Sequence, residues 1–243
     1  MRRRIVTALF PVYLMAQVAG PTFEVASVRP TQHGRTIDGF SRSSIDTPSP
    51  GRLVAENSSL DELLRFAFRV KHYQIAGPNW LNDDSECFDI VAKAPPGTSD
   101  RDIREMLQTL LAERFKLEFH RETRVLPVYK LVVGKNGPKL RAAASDGERP
   151  VMSSAGNNLT AKHAFMSGFA VWLSRELDRP VLDETGVQGR FDFTLQYGVG
   201  NSDDGRPSLP AALQDQLGLR LESGKGPIET LVIDHLEKLP TEN

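Results

Sequence analysis

Five histidines, His33, His72, His120, His163 and His235, a single cysteine and scattered carboxylates are the material this 243-residue chain offers for chemistry. No His-x-His pair and no His-Glu-x-x-His occurs, so zinc has no local signature. His120 sits in an alternating stretch beside Arg121 and Glu122. A general base needs a partner within reach, and no nucleophile stands at a motif position, so a solvent-facing histidine is the simpler reading. The Gly-x-Ser-x-Gly elbow is missing. Cys87 precedes Phe88 with Asp83, Asp84 and Glu86 close by, a neighbourhood that disfavours a thiolate and suits a small buried hydrophobe. No catalytic residue, metal site or cofactor is assigned.

Three polar features remain as binding candidates. Gly198-Val-Gly200-Asn-Ser-Asp-Asp-Gly205 lacks the third glycine of a dinucleotide loop. Its Asn201, Asp203 and Asp204 offer oxygen ligands without EF-hand spacing, as a flexible loop would. Asp183 and Glu184 present two carboxylates to a partner, although an Asp183 turn closed by Gly186 accounts for the same letters. Trp80, after Gly77-Pro78-Asn79, either packs on the helix-sheet core or rims a ligand groove. Trp80, Asp183 and Glu184 are therefore the candidate binding residues.

The elements that must position them are legible from spacing. Ser59-Leu60-Asp61-Glu62 is a capping box, followed by the stripe Leu60, Leu63, Leu64, Ala67 and Phe68. Ile103, Met106, Leu107, Leu110 and Leu111 repeat the spacing after Ser99, and Met166, Phe169, Ala170, Leu173 and Leu177 form a third stripe. Leu209, Ala212, Leu213 and Leu217 form a fourth, with Ser208 as cap and Pro210 in the first turn. Between the helices lie short strand-like runs. Lys116 to His120 alternates as a strand with one wet face does, and Ser223-Gly-Lys-Gly226 reads as a hairpin connection.

A 40% hydrophobic fraction and 25% charged residues spread along the chain exclude collagen-like, coiled-coil and polytopic membrane classes. Met1-Arg-Arg-Arg4, the apolar run to Val18 and the small residues Ala16, Ala19 and Gly20 read as an export signal over residues 1–20. Three of the 30 basic residues leave with it, so 27 face 31 acidic ones. That balance offers no nucleic-acid footprint. The rest lays over itself: Leu53-x-Ala55 on Leu159-x-Ala161, Phe88-Asp89 on Phe191-Asp192, and Phe115-x-Leu117 on Leu217-x-Leu219, with Leu131-Val132 on Leu231-Val232. The expectation is α+β: two similar small domains, residues 21–134 and 158–243, joined by a linker over 135–157. Each would be a mixed or antiparallel sheet with two helices packed on it.

Phe23-Glu-Val-Ala-Ser-Val-Arg-Pro30, Ala76-Gly-Pro-Asn-Trp-Leu81, Phe88-Asp-Ile-Val-Ala-Lys-Ala-Pro95, Leu110-Leu-Ala-Glu-Arg-Phe-Lys-Leu117 and Arg179-Pro-Val-Leu-Asp-Glu-Thr-Gly186 carry a resemblance. Together with Val232-Ile-Asp234 they resemble a family of uncharacterised exported proteins of soil bacteria, a domain of unknown function. Some of its members are fused to antirepressor-type membrane metallopeptidases. The resemblance implies a cell-envelope setting and carries over no catalytic residue. More loosely, the helix, Pro-Val-Leu-Asp strand and Phe-Asp-Phe strand are similar to the small N-terminal modules of secretins and TonB-dependent receptors, which bind protein partners. The expectation is an exported, periplasmic or envelope-associated binding module with an envelope protein or peptide as partner, touching the membrane only through its export signal. The alternative is a hydrolase or peptidase-associated enzyme whose site assembles around His120 or Asp183.

Overall fold

The computed structural model describes residues 20–31, 43–82, 86–144, 148–177, 179–198 and 205–241. The expected signal up to Ala19, His33, Asp83, Asp84 and the loop residues Asn201, Asp203 and Asp204 lie outside them. In chain order the elements begin β1 (Val25–Pro30), β2 (Ser44–Ser49), β3 (Arg52–Ser59), α1 (Leu60–Phe68), β4 (Ile75–Ala76), β5 (Cys87–Lys93) and α2 (Asp100–Phe115). Then come β6 (Glu118–Val133), β7 (Arg141–Ala142), β8 (Val151–Ala155), β9 (Asn158–Ala164) and α3 (Met166–Glu176). β10 (Val181–Asp183), β11 (Phe191–Gln196), α4 (Leu209–Leu217) and β12 (Leu219–His235) complete the described chain. The class is mixed α and β, with four α-helices and three mostly antiparallel sheets among the described residues.

By internal contact the chain divides into two compact units. One comprises Met1–Val70, Gly77–Phe119 and Ile233–Asn243; the other comprises Lys71–Ala76 and His120–Val232. The first holds the sheet β1-β5-β3-β2. Its helices start as the sequence says: Ser59 Oγ accepts the Glu62 amide at 3.3 Å while Glu62 Oε2 accepts the Ser59 amide at 3.1 Å. Ser99 and Asp102 repeat that reciprocal bond at the start of α2. Leu60, Leu63, Leu64, Ala67 and Phe68 are all buried, as are Ile103, Met106, Leu107, Leu110 and Leu111. Phe88 of β5 meets Phe115 of α2 edge-on at 5.0 Å. Each such side chain taken from water contributes about 1.5–3 kcal/mol.

The second unit holds the sheet β7-β11-β9-β8, whose core is Phe169, Phe193, Trp172, Leu173, Leu195 and Leu213. Phe169 stacks on Trp172 at 5.8 Å and meets Phe193 edge-on at 4.9 Å. Ser208 does stand at the N-cap of α4 with Pro210 in the first turn, but its hydroxyl makes no capping bond. The stretch 135–157, read as a linker, contributes β7 and β8 to this sheet.

Most of a third sheet, β10-β6-β12-β4, that the sequence did not disclose also falls in this unit. β10 lies parallel to β6, with Asp183 opposite Leu131, and β4 lies parallel to β12, with Ile75 opposite Leu231. Two expectations are corrected here. Ser223-Gly-Lys-Gly226 is no hairpin, because β12 runs unbroken from Leu219 to His235. A Cβ on Gly226 would lie 2.4 Å from Leu182 Cδ1 and 3.3 Å from Val128 Cγ2, so this glycine serves close packing rather than a turn. The strand expected from Lys116 with one wet face begins at Glu118 and is exposed on both faces through Val125.

Helix ends supply a stability test. Gly218, the C-cap of α4, sits at φ 66 with a Cβ position 2.2 Å from the Gly137 carbonyl oxygen. Lys116, the C-cap of α2, takes the same left-handed turn at φ 54 with a side chain in place. Gly218→Ala should cost about 2 kcal/mol or more in urea unfolding, whereas Lys116→Gly should stay within about 1 kcal/mol of wild type. Equal losses at both positions would contradict this account.

Candidate functional site

The residues singled out from sequence fall in both units. Trp80 is half-buried in a 3-10 turn of the first unit, with Lys238 Nζ 5.3 Å above its ring. Asp183 ends β10 and folds back on its own loop: Oδ1 accepts from the Thr185 amide at 3.0 Å and from Thr185 Oγ1 at 2.7 Å. Glu184 pairs with Lys130 Nζ at 2.9 Å. Each of the three side chains thus has a local partner, and Asp183 and Glu184 lie side by side in the second unit. His120 is half-exposed, with Nε2 3.9 Å from Glu122 Oε2. Cys87 is half-buried at the start of β5. Among the described residues no group of three His, Cys, Asp or Glu side chains is placed to hold a metal ion.

Spacing alone did not reveal a pair of carboxylate latches. In the first unit β3 shifts register between Ala55 and Ser58 around Asn57 at φ 49. Asp89 Oδ1 accepts the Asn57 amide at 2.9 Å. In the second unit β11 and β9 shift register around His163 at φ 50, and Asp192 Oδ1 accepts the His163 amide, also at 2.9 Å. The signal was present in the two Phe-Asp dipeptides, Phe88-Asp89 and Phe191-Asp192. What hid it was distance along the chain, since Asn57 and Asp89 stand 32 residues apart and His163 and Asp192 stand 29 apart.

Two cavities accompany these features. One of about 180 Å³ lies between the chain at Phe23–Ala26 and the α2 residues Met106, Leu110 and Arg114. Another, of about 270 Å³, lies at the C-terminal end of α4 beneath Lys135, Lys139 and Arg220. Lys139 Nζ donates to the Asp215 carbonyl there at 2.8 Å, so at least one of these cations complements the helix end.

β8 is a mostly exposed edge strand. It terminates the sheet β7-β11-β9-β8 and pairs with β9 in unbroken register, from Val151 opposite Lys162 to Ala155 opposite Asn158. Val-Met-Ser-Ser-Ala carries neither charge nor proline, the usual guards of an edge. β2, which ends the sheet of the first unit, carries Asp46 and Pro48 and breaks register between Asp46 and Ser49. Helix α3 runs alongside β8. Trp172 Nε1 donates to Ser154 Oγ at 3.1 Å, and a Cβ on Gly168 would lie 3.6 Å from Met152 Cε. β8 shows no alternation and is a strand only because β9 pairs with it, so sequence pattern had nothing to report.

Mixed α and β architecture with free sheet edges, and without a gathered catalytic constellation among the described residues, defines a small α+β module. The family described as "Protein of unknown function (DUF3738)" matches residues 61–236, and the chain belongs to that family. No curated protein and no solved structure matches it.

The latch of the second unit has a pH signature. The His163 amide bond, opposed by partial burial and aided by Lys162 at 3.4 Å, holds the Asp192 carboxyl below its ordinary value of 3.8. A depressed carboxyl stabilises the fold above its unfolded value and loses that contribution as pH falls through its folded value. Denaturation of wild type and Asp192→Asn should therefore show a gap near about pH 7 that narrows toward about pH 2. A gap unchanged by acid would remove the ionised carboxylate from the account.

Proposed function

We propose that this protein is a non-enzymatic binding module of the cell envelope, exported by its N-terminal segment, that captures an extended polypeptide by adding it to the edge of β8. The observation that carries the reading is the unguarded strand Val151–Ala155 at the end of its sheet. An added strand satisfies main-chain donors and acceptors whatever its sequence, so affinity comes from backbone and specificity from neighbouring side chains. Export is supported by Met1-Arg-Arg-Arg4, the apolar run that follows and the small residues before Pro21.

The same reading makes the chain one unit used twice. Support comes from the order β1-β5-β3-β2 beside β7-β11-β9-β8, with a helix after β3 and β9 and another after β5 and β11. The paired latches Asp89 to Asn57 and Asp192 to His163 add independent support. In this reading the second copy has kept an open edge where the first carries Asp46 and Pro48.

The test is amide hydrogen exchange on the purified protein with peptides selected from a random display library. Selected peptides should slow exchange within Val151–Ala155. Ser153→Lys, which places a charge on an exposed edge residue, should weaken them about tenfold by displacing one or two main-chain bonds of about 1 kcal/mol each, with unfolding unchanged. Selected peptides that protect other segments, or binding indifferent to Ser153→Lys, would overturn the proposal.

A further inference from the structure

The cavity at the C-terminal end of α4 carries a charge that its packing does not explain. It has a volume of about 270 Å³ and is lined by Lys135, Lys139 and Arg220 with the side-chain amides of Asn136 and Gln214; no carboxylate among the described residues lines it. All five side chains are exposed, in a chain with 31 acidic residues against 30 basic ones. Lys139 Nζ answers the helix end by donating to the Asp215 carbonyl at 2.8 Å. Arg220 meets Glu222, an exposed pair of small worth that leaves the guanidinium further donors. No ion pair among the described residues involves Lys135.

The first unit contains the same joint with other charges. The Glu237 amide donates to the Phe115 carbonyl at 2.8 Å, as the Lys139 amide donates to the Leu217 carbonyl at 2.8 Å. Phe115 and Leu217 end α2 and α4, and each is followed by a left-handed cap, Lys116 and Gly218. Two residues past the cap stands Glu118 in the first unit and Arg220 in the second. The places of Lys139 and Arg220 are thus filled by Glu237 and Glu118, so closing the joint does not require cations. Nor does the helix end, because one lysine serves each: Lys116 Nζ donates to the Glu113 carbonyl at 3.1 Å, as Lys139 does to that of Asp215. Lys135 and Arg220 are in excess of that need.

We infer that this cavity binds a phosphate monoester carried on a small hydroxylated group, held by Lys135, Arg220 and the remaining donors of Lys139. Three cations with Glu222 beside Arg220 leave a surplus of about two positive charges, the match for a monoester that carries about −1.5 to −2 at pH 7. The guanidinium can fork onto two phosphate oxygens, and the lysines add point charges. Asn136 and Gln214 offer both donors and acceptors, as hydroxyl groups need. The volume lies just below the roughly 300–1,000 Å³ of drug-sized pockets, which suits a group the size of one sugar. This site is independent of strand capture at β8.

Calorimetric titration of the purified protein with glucose 6-phosphate, inorganic phosphate, glucose and succinate tests this, with amide exchange over 134–139 and 214–220 as the second readout. Glucose 6-phosphate should bind about tenfold tighter than inorganic phosphate, slow exchange in both segments and outcompete glucose and succinate. Its affinity should fall as pH drops through about 6, where the ester loses its second charge. Lys135→Gln combined with Arg220→Gln should weaken it about tenfold or more with urea unfolding unchanged. Lys116→Gln, at the matching joint of the first unit, should leave binding intact. Phosphatidylcholine vesicles carrying phosphatidylinositol 4-phosphate form a parallel arm. Co-sedimentation that the double substitution removes assigns the ester to a lipid head group; glucose 6-phosphate binding without it assigns the ester to a soluble molecule. Equal affinity for inorganic phosphate means an adventitious ion only and overturns the inference. So do succinate binding as tightly, binding that survives the double substitution, and no binding of either the sugar phosphate or the vesicles.

Discussion

A single carboxylate, Asp192, holds the second unit in the form on which its open face depends. At His163 the strand β9 turns through a left-handed residue, which costs about 1–3 kcal/mol for a side-chain-bearing position. Asp192 offsets it by accepting the exposed amide across the ladder, and the ring of His163 meets Glu148 at 3.1 Å. The bend lets β9 end at Ala164 and α3 begin at Met166 with its apolar side down on the sheet. From α3, Phe169 and Trp172 then meet Phe193 and Tyr197 edge-on.

From this constraint the character of the edge follows. Trp172 is buried against the sheet yet has an indole N–H to satisfy, and Ser154 of the last strand provides the acceptor. The bond ties β8 to α3, and among the described residues no strand pairs with its other edge. A second aromatic donor is held in the same way: the Tyr197 hydroxyl donates to Glu176 at 2.9 Å, and burial with that carboxylate pushes its pKa up to about 12. Polar groups of the core are thus directed to the rim, where they shape the surface without breaking the apolar interior.

The long strands obey a different rule. β6 and β12 each continue far past the short parallel strand that flanks them, β10 at Tyr129–Leu131 and β4 at Leu231–Val232. The exposed portion of β6, Glu118–Val125, is charged at four of its eight positions (Glu118, Arg121, Glu122, Arg124) and paired, with Arg121 on Glu229 and Arg124 on Glu122. That is how an edge is protected from unwanted pairing. β8 lacks such protection, and the proposed recognition role rests on that contrast.

Local chemistry was enough to determine the four helices, their caps at Ser59 and Ser99, the apolar stripes and most inner strands, because each depends on residues within one or two turns of one another. The Phe-Asp dipeptides were visible as well. What only the tertiary structure decided is where separate segments meet: the Asp89 and Asp192 latches, the parallel docking of β4 and β10, the passage of β12 through Ser223–Gly226, and the strand identity of β8. Those depend on backbone groups finding partners far along the chain, and main-chain hydrogen bonds carry no side-chain signature. Gly226 shows the limit plainly: its letter says turn, and the methyl of Leu182 against its backbone says strand.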